Sequence, residues 1–247
     1  MNRGRRYAFY ENQKNQQHRV RWVILGILFF FIIYTSFTSL FFSMGVLENE
    51  TMAPNLRAGE RFIFSSYNIY SLIPGLDLEN GAPPFDRGEI VLVDMSGAER
   101  PGVFRGIVDG VIRFFTAQRV SLADKSGRKK ADYRFIKRVI GLPGDEISMT
   151  NFVVRVKAMG SAYSLTEFEV TVGDYTPDIP QAPALWDASI PFSGNMAGII
   201  LGENECFVLS DDRSNTNDSR TWGPVPVRNI TGKALFRYWP LNRLGRP

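Results

Sequence analysis

The stretch RFIKRVIGLPGDEI, residues 134–147, decides the fold class of this chain. Its first half is rich in Phe, Ile and Val, which is typical of a β-strand, and the Gly, Pro and Asp that follow are typical of a turn. Strand alternation places Lys137 on a face with apolar neighbours, where loss of hydration lowers the pKa of its amine and favours the neutral form near pH 7. Lys137 is therefore a candidate general base. The alternative interpretation is a solvated strand edge shared by Lys137 and Arg138.

Short apolar runs between turn residues continue on both sides of this stretch. Runs of this composition predict β-strands, and Gly, Pro, Asn and Asp between them predict turns. The part of the chain after residue 48 is expected to be mainly β, with antiparallel strands and extended loops. The predicted strands are 61–66, 89–95, 134–140, 152–159, 167–173, 205–210 and 230–241.

Composition narrows the possible chemistry. With 247 residues, of which 44% are hydrophobic and 22% charged, the chain has the size and polarity of one sizeable globular domain or two small ones. The single cysteine, Cys206, excludes an intramolecular disulfide framework and a Cys-rich zinc site. The single histidine, His18, lies ahead of a long apolar run, so a Ser-His-Asp triad and a multi-histidine metal site are excluded downstream. Hydrolytic chemistry would need another base.

That apolar run, residues 22–47, contains no charged side chain. As a helix it would be about 39 Å long, which is enough to cross a hydrocarbon core of about 30 Å. We predict a basic cytoplasmic tail at 1–21, a transmembrane helix at 22–47 and an exported β domain at 48–247, because basic residues precede the run and Glu48 and Glu50 follow it. A cleaved signal peptide is the competing interpretation.

Most of the positive charge lies in the predicted tail. Residues 1–21 hold six basic side chains and one acidic side chain, a sum of +5, whereas the whole chain carries +4. The remaining residues therefore sum to about −1, so the charge does not indicate a nucleic-acid surface.

Two further stretches are rich in polar groups. ENETMAPNLRAGERFIF, residues 48–64, places the Thr51 hydroxyl in a turn ahead of Pro54, although a lone threonine there is more often a plain turn residue. LSDDRSNTNDSRTWG, residues 209–223, is dense in hydroxyl, amide and charged groups. This segment is also compatible with a self-bonded loop, whereas the spacing of an EF-hand calcium loop is not met.

Taken together and in order, these motifs resemble those of type I signal peptidases. The matching stretches are T-M-A-P at 51–54, K-R-V-I-G-L-P-G-D at 137–145 and S-D-D-R-S-N-T-N-D-S-R-T-W-G at 210–223, with a weaker match at 86–93. The resemblance implies a signal-peptidase-like antiparallel β-sheet or barrel, preceded by one transmembrane helix. Residues 96–131 match no motif of the family, and neither do residues 148–200, which we expect to form an inserted β-rich subdomain.

The resemblance assigns catalytic roles. Such peptidases use a Ser-Lys dyad without histidine, so Lys137 is expected to be the general base and Thr51 to replace the nucleophilic serine. Thr216 matches the serine that orients the lysine, and Asn49 stands where a donor to the oxyanion is expected. Ser210 replaces a glycine of the family pattern.

The remaining roles are structural or concern the substrate. Met52 and Pro54 are expected to line the substrate groove, but Met52 is equally compatible with packing beneath the turn. Two charged pairs are expected to shape the surroundings of the site, namely Asp218 with Arg220 and Asp211 with Arg138.

The predicted function is that of a membrane-anchored endopeptidase, with a Thr-Lys dyad, that removes signal peptides from exported preproteins. We expect it in the bacterial cytoplasmic membrane, single-pass, with the N-terminus cytoplasmic and the catalytic domain outside. Preprotein signal peptides, the lipid bilayer and the secretion machinery are the expected partners, without nucleic acid, metal or organic cofactor. The alternatives are a catalytically impaired paralogue that binds peptides or partners, and a self-cleaving regulator, against which the lack of a DNA-binding segment argues.

Overall fold

A computed structural model describes residues 16, 18–34, 41–66, 83–96, 133–181 and 194–247. The chain divides into two compact units, of which the first is described through a helix at 18–34 and the second through the ranges that follow it. Within these described residues, no helix combines the length and the apolar character needed to cross a membrane. Most of the predicted 1–21 tail and residues 35–40 of the predicted transmembrane helix lie outside the described residues.

The second unit is built mainly from antiparallel strands. They are β1 (Phe42–Val46), β2 (Arg61–Ser66), β3 (Ile90–Asp94), β4 (Arg134–Gly141), β5 (Glu146–Thr150), β6 (Val153–Lys157), β7 (Leu165–Thr166), β8 (Met196–Ile200), β9 (Glu205–Leu209), β10 (Val225–Pro226) and β11 (Ile230–Trp239). Six of the seven predicted strands are confirmed within a few residues at their ends, as β2, β3, β4, β6, β9 and β11. The prediction of a mainly β fold is confirmed for the described residues.

Two sheets organise these strands. Seven strands form the larger sheet in the order β1-β2-β11-β3-β4-β9-β10, and four form the smaller sheet in the order β7-β6-β5-β8. The smaller sheet falls almost entirely within residues 148–200, where an inserted subdomain is expected, although residues 182–193 of that segment lie outside the described residues.

The central strands of the larger sheet are buried on both faces. On β3, Ile90 and Leu92 belong to one apolar cluster, and Val91 and Val93 belong to another on the opposite face. Val91 pairs with Lys137 of β4, so this lysine starts from the middle of a sheet that is covered on both sides. An amine in this position is removed from bulk water before any partner is considered.

A tight turn connects β4 with β5 and so joins the two sheets. Its Asp145 N–H donates to the Leu142 carbonyl at 3.1 Å, and Gly144 has a φ of +82°. Pro143 followed by a glycine with positive φ is the signature of a type II turn. The Asp145 carboxylate accepts hydrogen bonds from Leu142 N–H at 2.8 Å and from the Arg87 guanidinium at 2.7–3.0 Å. The G-L-P-G-D half of the motif is therefore structural.

The prediction of a helix through residue 47 is wrong at its C-terminal end, where Phe42–Val46 form strand β1. All five residues pair with β2, from Phe42 opposite Ser65 to Val46 opposite Arg61. Gly45 packs against the Phe64 ring, and a Cβ at this position would lie 2.8 Å from a ring carbon. An uncharged apolar sequence satisfies a membrane helix and a sheet strand equally, and here strand pairing determines the structure.

The strand predicted at 167–173 is also wrong, because Glu167–Val170 form a short helix, α1. A capping box stabilises its start, since Glu169 accepts hydrogen bonds from the backbone N–H and the hydroxyl of Thr166. Glu167 is completely buried, and its carboxylate forms an ion pair with the equally buried Arg213. The alternation of Glu with apolar residues thus reflects this buried pair rather than a half-exposed strand.

Candidate active site

Thr51 lies in the turn that connects β1 with β2, and only 4% of it is exposed. The ends of this turn are fixed by hydrogen bonds from Leu47 N–H to Glu60 O and from Gly59 N–H to Leu47 O. The Thr51 hydroxyl donates to Asn49 Oδ1 at 2.7 Å, and its carbonyl accepts from Asp212 N–H at 3.1 Å. The threonine is therefore held in a buried position, with its hydroxyl bound to Asn49 and its backbone hydrogen-bonded to the polar 209–223 segment.

Lys137 lies in the middle of β4 with 1% of its surface exposed. Its Nζ donates a hydrogen bond to Ser210 Oγ at 2.8 Å and lies 5.8 Å from the centre of the Trp222 ring. Burial lowers the pKa of Lys137 from 10.5 to about 8, against the opposing effect of the Asp218 carboxylate. The prediction of a desolvated lysine is confirmed, and the alternative of a solvated strand edge is wrong.

The hydroxyl that holds Lys137 belongs to Ser210, and not to Thr216 as the resemblance implied. In the antiparallel register, Arg138 pairs with Leu209 and Val139 with Val208, so Ser210 is the next position opposite Lys137. Thr216 lies farther along the loop, where its carbonyl accepts hydrogen bonds from Asp218 N–H and from the Thr221 hydroxyl. The expectation that Thr216 orients the lysine is corrected for this reason.

Both predicted charged pairs are present. Arg138 binds Asp211 through two hydrogen bonds, of 2.8 and 2.6 Å, and donates a third, of 2.6 Å, to the Gly88 carbonyl. Arg220 binds the Asp218 carboxylate at 2.7–2.9 Å. Although burial raises the pKa of Asp218, its hydrogen bonds lower the pKa overall and keep the carboxylate ionised. Such doubly bonded buried pairs fix the loop that carries Ser210.

Asn49 is exposed and presents its side-chain oxygen to Thr51, as the acceptor of the 2.7 Å hydrogen bond. The Thr51 N–H approaches the same oxygen at 3.4 Å, which is a long contact. Asn49 therefore orients the threonine hydroxyl in this structure, whereas the resemblance assigned it a donor role.

The two residues expected in the substrate groove are placed differently. Met52 is completely buried in the apolar cluster with Leu56, Phe62 and Ile136 beneath the turn. Its side chain is therefore part of the core and has no free surface for a substrate, so the groove expectation is corrected. Pro54 is exposed on the turn.

Sequence reasoning missed two residues that contact the Arg138–Asp211 pair, namely Asn55 and Tyr175. Asn55 donates to Asp211 Oδ2 at 2.9 Å and to the Thr176 carbonyl at 3.0 Å. The Tyr175 ring stacks on the Arg138 guanidinium, 4.1 Å from ring centre to Cζ. All these partners are distant in sequence, and no local pattern identifies them.

The loop that follows β9 connects the two candidate catalytic residues. Among the described residues, no direct hydrogen bond joins Thr51 Oγ1 to Lys137 Nζ. Ser210, however, holds the lysine, and Asp212, two residues later, donates to the carbonyl of Thr51. A desolvated amine and a secondary alcohol fixed by one short loop could perform base-assisted nucleophilic chemistry.

Comparison with known proteins gives one family match and several relatives. The family described as "Signal peptidase, peptidase S26" matches residues 19–239. The chain is 34% identical over 112 residues to "Probable signal peptidase I-1" of Synechocystis sp., an overlap of 45% of this chain and 46% of that protein. It is 32% identical over 129 residues to "Signal peptidase I" of Streptococcus pneumoniae, with 44% of this chain and 63% of that protein covered.

A longer match is with "Signal peptidase IB" of Staphylococcus aureus, which is 28% identical over 184 residues, or 74% of this chain and 81% of that protein. The chain spans 46% and 63% of the lengths of the first two relatives. The family match itself extends over most of the sequence, from residue 19, ahead of β1, to residue 239, the last residue of β11. This chain therefore belongs to the signal peptidase family, peptidase S26.

Proposed function

We propose that this protein is an endopeptidase that cleaves signal peptides from exported preproteins, with Thr51 as nucleophile and Lys137 as general base. The observation that supports it most is the state of Lys137, an amine with 1% exposure whose pKa burial lowers to about 8. About a tenth of such amines are neutral at pH 7, compared with less than a thousandth at an ordinary lysine pKa. Neutral amine is the form that accepts a proton.

The chemistry takes place in two stages. The Thr51 hydroxyl turns from Asn49 towards Lys137, Oγ1 bonds to the scissile carbonyl carbon, and Nζ takes the hydroxyl proton. The C–N bond then breaks, and the ammonium returns that proton to the leaving amine, which leaves an ester on Thr51. Water attacks the ester carbon as Lys137 takes a proton from the water, and the proton passes back to Thr51 Oγ1 as the acid is released.

The sheet supports a way to present the substrate. β1 is an edge strand, paired on one side with β2, and it ends five residues before Thr51. Among the described residues β1 pairs on one side only, and an extended peptide that adds to its other edge would run towards the Thr51 turn and gain main-chain hydrogen bonds. We assign the signal peptide to this edge, with small side chains next to the cut.

The same proposal places the chain in a bacterial cytoplasmic membrane, with its N-terminus inside and the second unit outside, near substrates that leave the cell. Its support is the sequence, since residues 22–41 carry no charge and follow Arg19 and Arg21. The test is protease treatment of intact spheroplasts, in which the second unit is digested and a tag on the N-terminus is protected. Protection of the second unit would contradict this orientation.

The enzymatic test uses purified full chain in detergent and a synthetic preprotein, with cleavage products identified by mass spectrometry. Wild-type protein is expected to cut after the signal sequence, and Thr51→Ala and Lys137→Ala are each expected to lose about 100-fold or more in kcat. Matched controls in the smaller sheet are Thr150→Ala, at an exposed position, and Lys157→Ala, at a half-buried position whose side chain is 44% exposed. Unchanged cleavage by Lys137→Ala would refute the dyad.

Thr51→Ser separates this function from that of a catalytically impaired relative. Serine lacks the methyl that restricts χ1 of threonine and crowds the approach to the scissile carbon. If the wild-type enzyme is active, the Thr51→Ser substitution is expected to change its kcat severalfold at most. Activity that appears only in Thr51→Ser would instead assign the natural chain to peptide or partner binding.

A further inference from the structure

The side chain of Ser210 has no role in the proposed chemistry, yet it makes the only hydrogen bond that the described residues offer to Lys137 Nζ, at 2.8 Å. Ser210 is 0% exposed and Lys137 is 1% exposed, so water does not replace either partner. Breaking a hydrogen bond between two groups this deeply buried is costly, because each partner is then left unsatisfied away from water. The bond is therefore expected to persist.

The backbone of Ser210 is fixed independently of the lysine. Its N–H donates to Asp218 Oδ2 at 2.9 Å, and the same carboxylate is bound by Arg220 at 2.7 Å. The preceding residue, Leu209, is paired with Arg138 at the end of β9. The Ser210 backbone is therefore positioned by the sheet and by a buried ion pair, and this places the serine hydroxyl opposite the lysine.

We infer that Ser210 is the positioning residue of the general base, holding the Lys137 amine in the orientation from which it serves Thr51. The statement that this orientation serves catalysis rests on the proposed function. The inference makes Ser210, and not Thr216, the partner of the lysine. The Thr216 carbonyl accepts hydrogen bonds within the loop, and among the described residues its hydroxyl has no contact with Lys137.

The charged groups around the amine determine the direction of the expected effect. Asp218, Asp211 and Asp212 favour the ammonium form, and Arg220 opposes it. Ser210 adds a hydrogen-bond acceptor to the groups that favour the ammonium. When this acceptor is removed, the pKa of Lys137 falls further, by about one pH unit for a hydrogen bond to a charged group. The freed amine also samples other rotamers, which lowers kcat by about tenfold.

The test is a titration that does not depend on cleavage. Full-length protein labelled with ¹³C at the lysine ε carbon is titrated by NMR, and the Lys137 resonance is identified by its absence in Lys137→Arg. Ser210→Ala is expected to lower the Lys137 pKa by about one pH unit, and Ser210→Thr, which keeps the hydroxyl, to leave it near the wild-type value. A Lys137 pKa in Ser210→Ala that is unchanged or higher would overturn the inference.

The matched control is Ser219→Ala, at the first residue of the short helix Ser219–Trp222 in the same 209–223 segment. Ser219 is 2% exposed and its oxygen accepts a hydrogen bond from Val208 N–H at 3.0 Å, so its loss perturbs the loop without touching the lysine. Its Lys137 pKa is expected to match wild type. A shift as large as that in Ser210→Ala would mean that general disruption of the loop is the cause, which overturns the positioning role.

Cleavage assays on the same variants separate the two proposals. If wild type cleaves, kcat of Ser210→Ala should fall about tenfold with little change in KM, and its acid limb should move to lower pH. If wild type does not cleave the preprotein, the proposed function fails while the titration still decides the role of Ser210. An unchanged Lys137 pKa with normal wild-type cleavage rejects the inference alone.

Discussion

Replacing Lys137 with Met should make folding stability less dependent on pH. The folded protein binds the lysine proton with a pKa of about 8, and the unfolded chain binds it with a pKa near 10.5. Between these values the unfolded state holds more protons, so the stability of wild type rises with pH. The full difference corresponds to about 3 kcal/mol, of which about 2 kcal/mol is gained between pH 7 and pH 10.

Urea denaturation followed by tryptophan fluorescence measures this change, with all variants in the same detergent. Lys137→Met keeps an apolar stem of similar length but has no amine. Its free energy of unfolding, relative to that of wild type, should therefore fall by about 2 kcal/mol from pH 7 to pH 10. Lys157→Met, at a surface position with 44% side-chain exposure, should follow wild type across this range. A difference between Lys137→Met and wild type that stays constant with pH would refute a lowered lysine pKa.

Three other predictions follow from the same structure. Initial cleavage rates should rise with pH to a plateau, with an apparent pKa near 8, since Lys137 must be neutral; a rate that still climbs above pH 10 would exclude it as the base. Asp211→Asn should lower the free energy of unfolding by about 3 kcal/mol, because it leaves the buried Arg138 charge uncompensated, and a urea midpoint equal to wild type would contradict this. Gly232→Ala should cost about 2 kcal/mol or more in thermal denaturation, because its Cβ would lie 1.9 Å from the Ser65 carbonyl oxygen, and an unchanged melting temperature would mean that β2 and β11 adapt freely.

Local sequence was sufficient for the strands whose composition and flanking turns agree. β3, β4 and β11 are dense in β-branched and aromatic residues, and turn residues border them, so their positions could be predicted to within a few residues. Local sequence was insufficient where the same pattern is compatible with two different structures. The uncharged residues of β1 satisfy a membrane helix as well as a strand, and only pairing with β2 distinguishes them.

The helix α1 shows a different failure. Thr166 and Glu169 form a capping box that is visible in the sequence, but the alternation of Glu and apolar residues also matches a half-exposed strand. The decisive fact is the buried ion pair of Glu167 with Arg213, which are 46 residues apart. No local window contains both partners.

At the site, the burial of Lys137 could be predicted because its apolar neighbours on β4 are local. The identity of its partner could not, since Ser210 faces Lys137 only through the register between β4 and β9, 73 residues away in sequence. The pair of Arg138 with Asp211 was predicted from the resemblance. Asn55 and Tyr175 complete its surroundings, but their contacts with this pair join segments 156 and 37 residues apart, and no local pattern shows such contacts.

The most direct measurement of the central claim is to locate the covalent intermediate. Wild type is mixed with preprotein, quenched in acid within the first turnover, digested and mapped by mass spectrometry. The account predicts an acyl ester on Thr51 in wild type and none in Lys137→Ala. An ester on Ser210, or turnover in Thr51→Ala at the rate of wild type, would contradict it.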